Sequence, residues 1–180
     1  MSRLFLLVIS LVTGVGLWIA PGPAAAAANC AVDWGSRDKA SSTRAPALIA
    51  GVRSGRHECF DRLVFDITGP VTGYHVGYAD RIVMDGSGAP VALRGEAFLN
   101  VVIGAPAYDD AGNATYQPAN RAELVDVGGY QTFRQVAWAG SFEGQTTVGL
   151  GVRGRLPFQV HTLAGPGGES RVMVDIAHSW

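Results

Sequence analysis

The chain has 180 residues, 48% of them hydrophobic and 16% charged, with 24 glycines, 9 prolines, 2 cysteines and a formal net charge of -1. That length suits about one ordinary domain. Glycine at about twice its usual level and charge well below it exclude a coiled coil or long helical bundle, and high apolar content with little net charge excludes disorder. A near-neutral chain also lacks the concentrated Lys and Arg of a nucleic-acid binder, so nucleic acid is set aside as a partner.

Met1-Ser2-Arg3 supplies one positive charge, residues 4–19 carry no ionisable side chain, and Pro21-Gly22-Pro23 leads into alanines at 24–28. This order of basic start, apolar core and small residues predicts a signal peptide over 1–28, cleaved after Ala28, and a secreted or cell-envelope protein. The apolar run is shorter than the ~20 residues a spanning helix needs, and prolines break it at once, so no permanent membrane span is expected. A lipid anchor on Cys30 would want a small residue before it, where Asn29 stands. In an exported chain the pair Cys30 and Cys59 reads as a disulfide. Closing that loop removes unfolded-chain entropy worth about 3.5 kcal/mol. It would tie an N-terminal linker, 29–46, to the domain over 47–180. Residues 35–46 hold no large apolar side chain and read as exposed.

From Ala47 onward, short apolar stretches alternate with period two between Gly, Pro, Asp and Asn, without a helical stripe. Strands are predicted over 48–53, 61–68, 73–80, 90–103, 122–127, 131–140, 145–153, 156–163 and 171–177, an all-β fold of about nine short strands arranged as a β-sandwich. Asp85-Gly86-Ser87-Gly88 reads as a reversing turn. The stretch 104–121 has no periodicity and is long for a passive connection.

Arg62-Leu63-Val64-Phe65-Asp66-Ile67 is echoed by Arg171-Val172-Met173-Val174-Asp175-Ile176. In each copy alternate apolar residues suit a core, leaving Arg and Asp on the other face. Antiparallel pairing centred on Val64 and Met173 would set Arg62 opposite Asp175 and Arg171 opposite Asp66, each pair worth a few tenths of a kcal/mol, or about 0.2–1.

The run Gly51-Val52-Arg53-Ser54-Gly55-Arg56-His57-Glu58-Cys59-Phe60-Asp61-Arg62-Leu63-Val64-Phe65-Asp66, then Gly73-Tyr74-His75-Val76-Gly77-Tyr78, resembles the opening of the AMIN-like domain of exported actinobacterial proteins and lipoproteins. Leu156-Pro157-Phe158-Gln159-Val160-His161-Thr162-Leu163 with the echo at 171–176 is similar to that family's last two strands. The resemblance covers about residues 48 to 178 and implies a β-sandwich related to the AMIN modules of cell-wall amidases and secretins, which localise proteins in the envelope. The implied partner is peptidoglycan or an envelope protein. No catalytic residues come with it, and the zinc-amidase domain of the amidases has no counterpart here.

His57-Glu58-Cys59-Phe60-Asp61 has the letters of a zinc-protease motif with Asp61 in place of the second histidine, but that motif needs a helix and lies here between strands. A small hydrolase using His57 with Asp61 or Glu58 is the alternative from another class, and a structural protein-interaction domain a third. Gly149-Leu150-Gly151-Val152-Arg153-Gly154 matches a dinucleotide fingerprint that opens no helix, so its glycines are expected to allow close packing. Asp109, Asp110 and Asn113 are too few for a convincing calcium loop. No metal and no cofactor is expected. The candidate binding residues are Arg53, Arg56, His57, Arg62, Tyr74 and Tyr78: arginine forks suit carboxylates and tyrosine rings offer flat area. Tyr74 and Tyr78 share a strand face, which would neighbour Arg53 and Arg62 if the first three strands lie side by side; as core residues they would only reach the edge.

Overall fold

A computed structural model describes residues 30–180; the predicted signal peptide and its cleavage point lie outside them. The strands are β1 (Lys39–Ser41), β2 (Leu48–Arg56), β3 (Phe60–Thr68), β4 (Tyr74–Ala79), β5 (Ile82–Val83), β6 (Pro90–Val91), β7 (Ala97–Ile103), β8 (Phe133–Phe142), β9 (Gln145–Val152), β10 (Phe158–Ala164) and β11 (Glu169–Ala177). They form a five-stranded sheet, β1-β4-β7-β9-β8, packed on a four-stranded sheet, β10-β11-β3-β2, with β5 and β6 as a separate small hairpin. All pairings are antiparallel. The fold is an all-β sandwich. Among the described residues no helix is long and apolar enough to cross a membrane.

Period-two alternation builds the core. Leu63, Phe65 and Ile67 of β3 and Val172, Val174 and Ile176 of β11 meet Val76, Leu99, Val101, Ile103, Val148, Leu150 and Val152 from the other sheet. Each such side chain contributes roughly 1.5–3 kcal/mol by leaving water. Phe133 and Phe158 are also sealed inside.

Four expectations change. β4 lies in the opposite sheet from β2 and β3, so the first three strands are not neighbours. The chain crosses over at Gly69, whose φ of 115° suits glycine, and Thr72 secures the crossing by donating its hydroxyl to the Gly104 carbonyl. The predicted strand 90–103 divides into β6 and β7 because residues between them cross the outside of β9. An added side-chain carbon on Gly151 would run into the Arg94 carbonyl oxygen, and one on Gly149 would stand 2.8 Å from Leu93. The fingerprint glycines at 149 and 151 thus serve close packing. The stretch 122–127 is not a strand; it runs irregularly beside β8, touching it through Leu124 N–H to Val136 and Trp138 N–H to Arg121. Two register shifts in β8 interrupt the even spacing that a ladder needs.

The fourth change concerns 35–46, which contains β1 on the edge of the five-stranded sheet. Edge pairing needs only backbone groups, so a stretch without large apolar side chains can join. Lys39 fastens it: its ammonium donates to the Trp34 and Arg37 carbonyls and sits 4.9 Å from the Phe158 ring centre. The Cys30–Cys59 disulfide anchors the same segment to the β2–β3 turn, and a bond of this kind belongs to an oxidising, extracytoplasmic compartment. The turn at 85–88 reverses the chain between β5 and β6 as expected, with Gly86 and Gly88 at positive φ.

Candidate binding face

The outer face of the four-stranded sheet carries the echoed charges. β3 and β11 pair in the register read from the sequence, with Val64 opposite Met173, Arg62 opposite Asp175 and Arg171 opposite Asp66. Arg62 grips Asp175 with two hydrogen bonds, 2.6 and 2.7 Å, while Gln159 and His161 from β10 close over the same carboxylate at 3.4 and 3.6 Å. Asp175 is thereby fully buried, and the Arg62 guanidinium lies over the Phe60 ring.

Four residues farther along, the second pair is open. Arg171 reaches Asp66 through Nε alone, at 3.2 Å. Gly51, opposite Asp66, presents no side chain, so Arg53 from two positions along β2 reaches diagonally to the same carboxylate at 2.6 and 3.0 Å. The two guanidinium groups hold the Asp66 carboxyl below the usual carboxylate range, the hydrogen bonds from Arg53 being the largest cause, with burial working against them. Arg53, Asp66 and Arg171 line an open groove of about 500 Å³ with Ala50, Thr68 and Glu169. Ala50 bulges out of β2 beside it. Arg53 and Arg171 keep 54% and 43% of their side-chain surface exposed. Among the described residues the terminal nitrogens of Arg171 have no hydrogen-bond partner, so planar N–H donors remain for an incoming carboxylate.

The remaining candidates are dispersed. His57 is exposed at one end of this face, stacked on Phe60 with ring centres 4.4 Å apart, and Trp34 meets Phe60 edge-on. Arg56 lies over Tyr130, away from the groove. Tyr74 and Tyr78 pack inward against the core. The Tyr78 hydroxyl donates to the Leu156 carbonyl and accepts from its N–H, and burial raises its pKa. The tyrosines and the arginines therefore belong to different sheets and do not form one surface.

The letters around His57 do not assemble either. Asp61 is buried, its carboxylate accepting from the N–H groups of Thr132 and Phe133 and facing His178 Nε2 at 3.2 Å. Among the described residues no hydrogen bond joins His57 to Asp61 or Glu58. Asp61 thus ties the β2–β3 turn to β8 and the C-terminal segment, a role with no local sequence signal because its partners lie 71 to 117 residues away. In the long loop, Asp109 accepts from the N–H groups of Ala111 and Asn113 and from the Asn113 side chain, closing a turn on itself.

The AMIN-like domain family model matches residues 47–178, most of the chain and every strand from β2 to β11. The chain belongs to the AMIN-like family. No curated protein and no solved structure matches it. In this AMIN-like domain the matched region begins at buried Ala47 and ends at buried His178, so it includes both sheets and the whole charged face but leaves β1 outside.

Proposed function

We propose that this AMIN-like protein is an exported, non-catalytic envelope module that binds carboxylate-bearing wall polymer, peptidoglycan peptides above all, in the groove between Arg53 and Arg171. One observation carries the reading: the exposed guanidinium groups of Arg53 and Arg171 stand either side of Asp66 and keep planar donors unused among the described residues, in an open groove whose formal charges balance once Glu169 is counted. Arginine forks match carboxylates in shape as well as charge. The predicted signal peptide and the disulfide support residence outside the cytoplasm.

Retention on purified cell wall tests it. Arg53→Ala and Arg171→Ala should each lower retention several-fold, and rising salt should do the same to the parent protein. His57→Ala should leave retention unchanged. Undiminished retention in Arg53→Ala and Arg171→Ala would remove the groove from the account, and substrate turnover lost in His57→Ala would favour the hydrolase instead. Retention of the parent by envelope protein but not by wall would move the partner to the protein-interaction class.

A further inference from the structure

Sheet edges expose unpaired backbone groups, and folded proteins blunt them. Among the described residues the two main sheets have four edges, of which three are blunted. β1 is three residues long. β2 is covered where Ile49 N–H donates to the Pro106 carbonyl, Thr115 donates to the Ile49 carbonyl, and the Tyr130 hydroxyl meets Ser54. β8 is flanked by residues 121–124. The fourth edge, β10, is open.

The open groups can be identified from the ladder. Ala177 N–H donates to the Pro157 carbonyl and Gly165 N–H to the Glu169 carbonyl, so the hydrogen-bonded pairs between β10 and β11 fall at odd positions of β10: Gln159, His161 and Leu163. The even positions turn their backbone groups outward. Phe158 N–H is taken by the Gly35 carbonyl. Among the described residues Val160, Thr162 and Ala164 have no such partner. No side chain from 158 to 164 carries a fixed charge, and Leu163 is 48% exposed.

We propose that this edge is a docking strand for a second copy of the chain, pairing β10 with β10 antiparallel about a two-fold axis through Thr162. A closed two-fold contact must be self-complementary, and this one is. Val160 meets Ala164 of the other copy, Thr162 meets Thr162, and His161 faces Leu163, with no like charges opposed. The ends stop the register: the next pair would join Phe158, whose N–H is already used, to Pro166, which has none. The axis stands perpendicular to the sheet, so both charged outer faces look the same way and two grooves share one continuous surface. Five paired residues a side bury less than the ~1,200 Å² of a standard interface, so the dimer is weak and concentration-dependent.

Sedimentation of the purified protein at increasing concentration tests this. The mass should rise from monomer toward dimer. Thr162→Pro removes an N–H that β11 does not use, and edge positions of this kind accept proline; Thr162→Lys opposes two like charges across the axis. Both should stay monomeric with parental thermal unfolding. Under mild oxidation Thr162→Cys should cross-link, since opposed Cα atoms in a hydrogen-bonded pair stand about 5.5 Å apart, whereas Leu163→Cys, facing His161, should not. A protein monomeric at every concentration, a dimer that survives both Thr162→Pro and Thr162→Lys, or equal cross-linking at 162 and 163 would each overturn the proposal.

Discussion

Two ion pairs that the sequence writes in the same letters differ in every physical respect. Arg62 and Asp175 sit two rows from Arg171 and Asp66 on the same two strands, yet Asp175 is fully buried and gripped by both arms of one guanidinium, while Asp66 is open, shared by two arginines and touched by Arg171 through one nitrogen. The cause lies in the flanking strands. Gln159 and His161 on β10 close over Asp175, whereas on the other side Gly51 leaves Asp66 uncovered. A sealed pair stabilises the fold and has nothing left to offer a ligand; an open pair contributes little to stability and keeps its donors available.

The largest consequence follows from breaking the sealed pair. Arg62→Ala leaves a buried carboxylate without its cation and should lower unfolding free energy by about 3 kcal/mol in a urea titration. Replacing Arg62 and Asp175 together by apolar residues of similar size should recover most of that loss. For the same reason Arg62 is a poor choice for testing wall binding.

A smaller effect sharpens the contrast through pH. Because the folded pKa of Asp66 lies below its unfolded value, its contribution is complete above the unfolded value of about 4 and disappears as pH falls through the lowered one. With Asp66 about a third exposed, solvent screening holds this contribution to about 1 kcal/mol or less. Thermal unfolding followed across that window should show the decline, and Asp66→Asn should flatten it.

Smallest in stability, and largest in function, are Arg53→Ala and Arg171→Ala. Each should change unfolding free energy by no more than about 0.5 kcal/mol in the same titration while reducing wall retention. A loss of stability comparable to that of Arg62→Ala would mean that the two pairs are alike after all.

Much of the sandwich was legible in the chain. The pairing of β3 with β11 follows from two hexapeptides with matching alternation, and the disulfide from two cysteines in a chain whose sequence reads as exported. The groove was legible only in part. Arg53 stood out as a candidate and Arg171 as half of the echo, but nothing local announces that both reach Asp66, since that depends on the bulge at Ala50 and the absent side chain at Gly51. For Tyr74 and Tyr78 the sequence leaves open a place beside the arginines or one in the core, and the core reading holds; a chain reversal after Thr68 reads the same whether the next strand returns to its own sheet or crosses to the other.

By itself the sequence determined which residues are strands and which side chains share a face, because period-two alternation is a property of the local backbone. Only the tertiary structure decided which charge is sealed and which is open, which glycines admit a crossing segment, and which edge remains unpaired. Those outcomes depend on neighbours delivered by distant parts of the chain, where the exclusion of water is set by what packs on top and not by the strand that carries the charge.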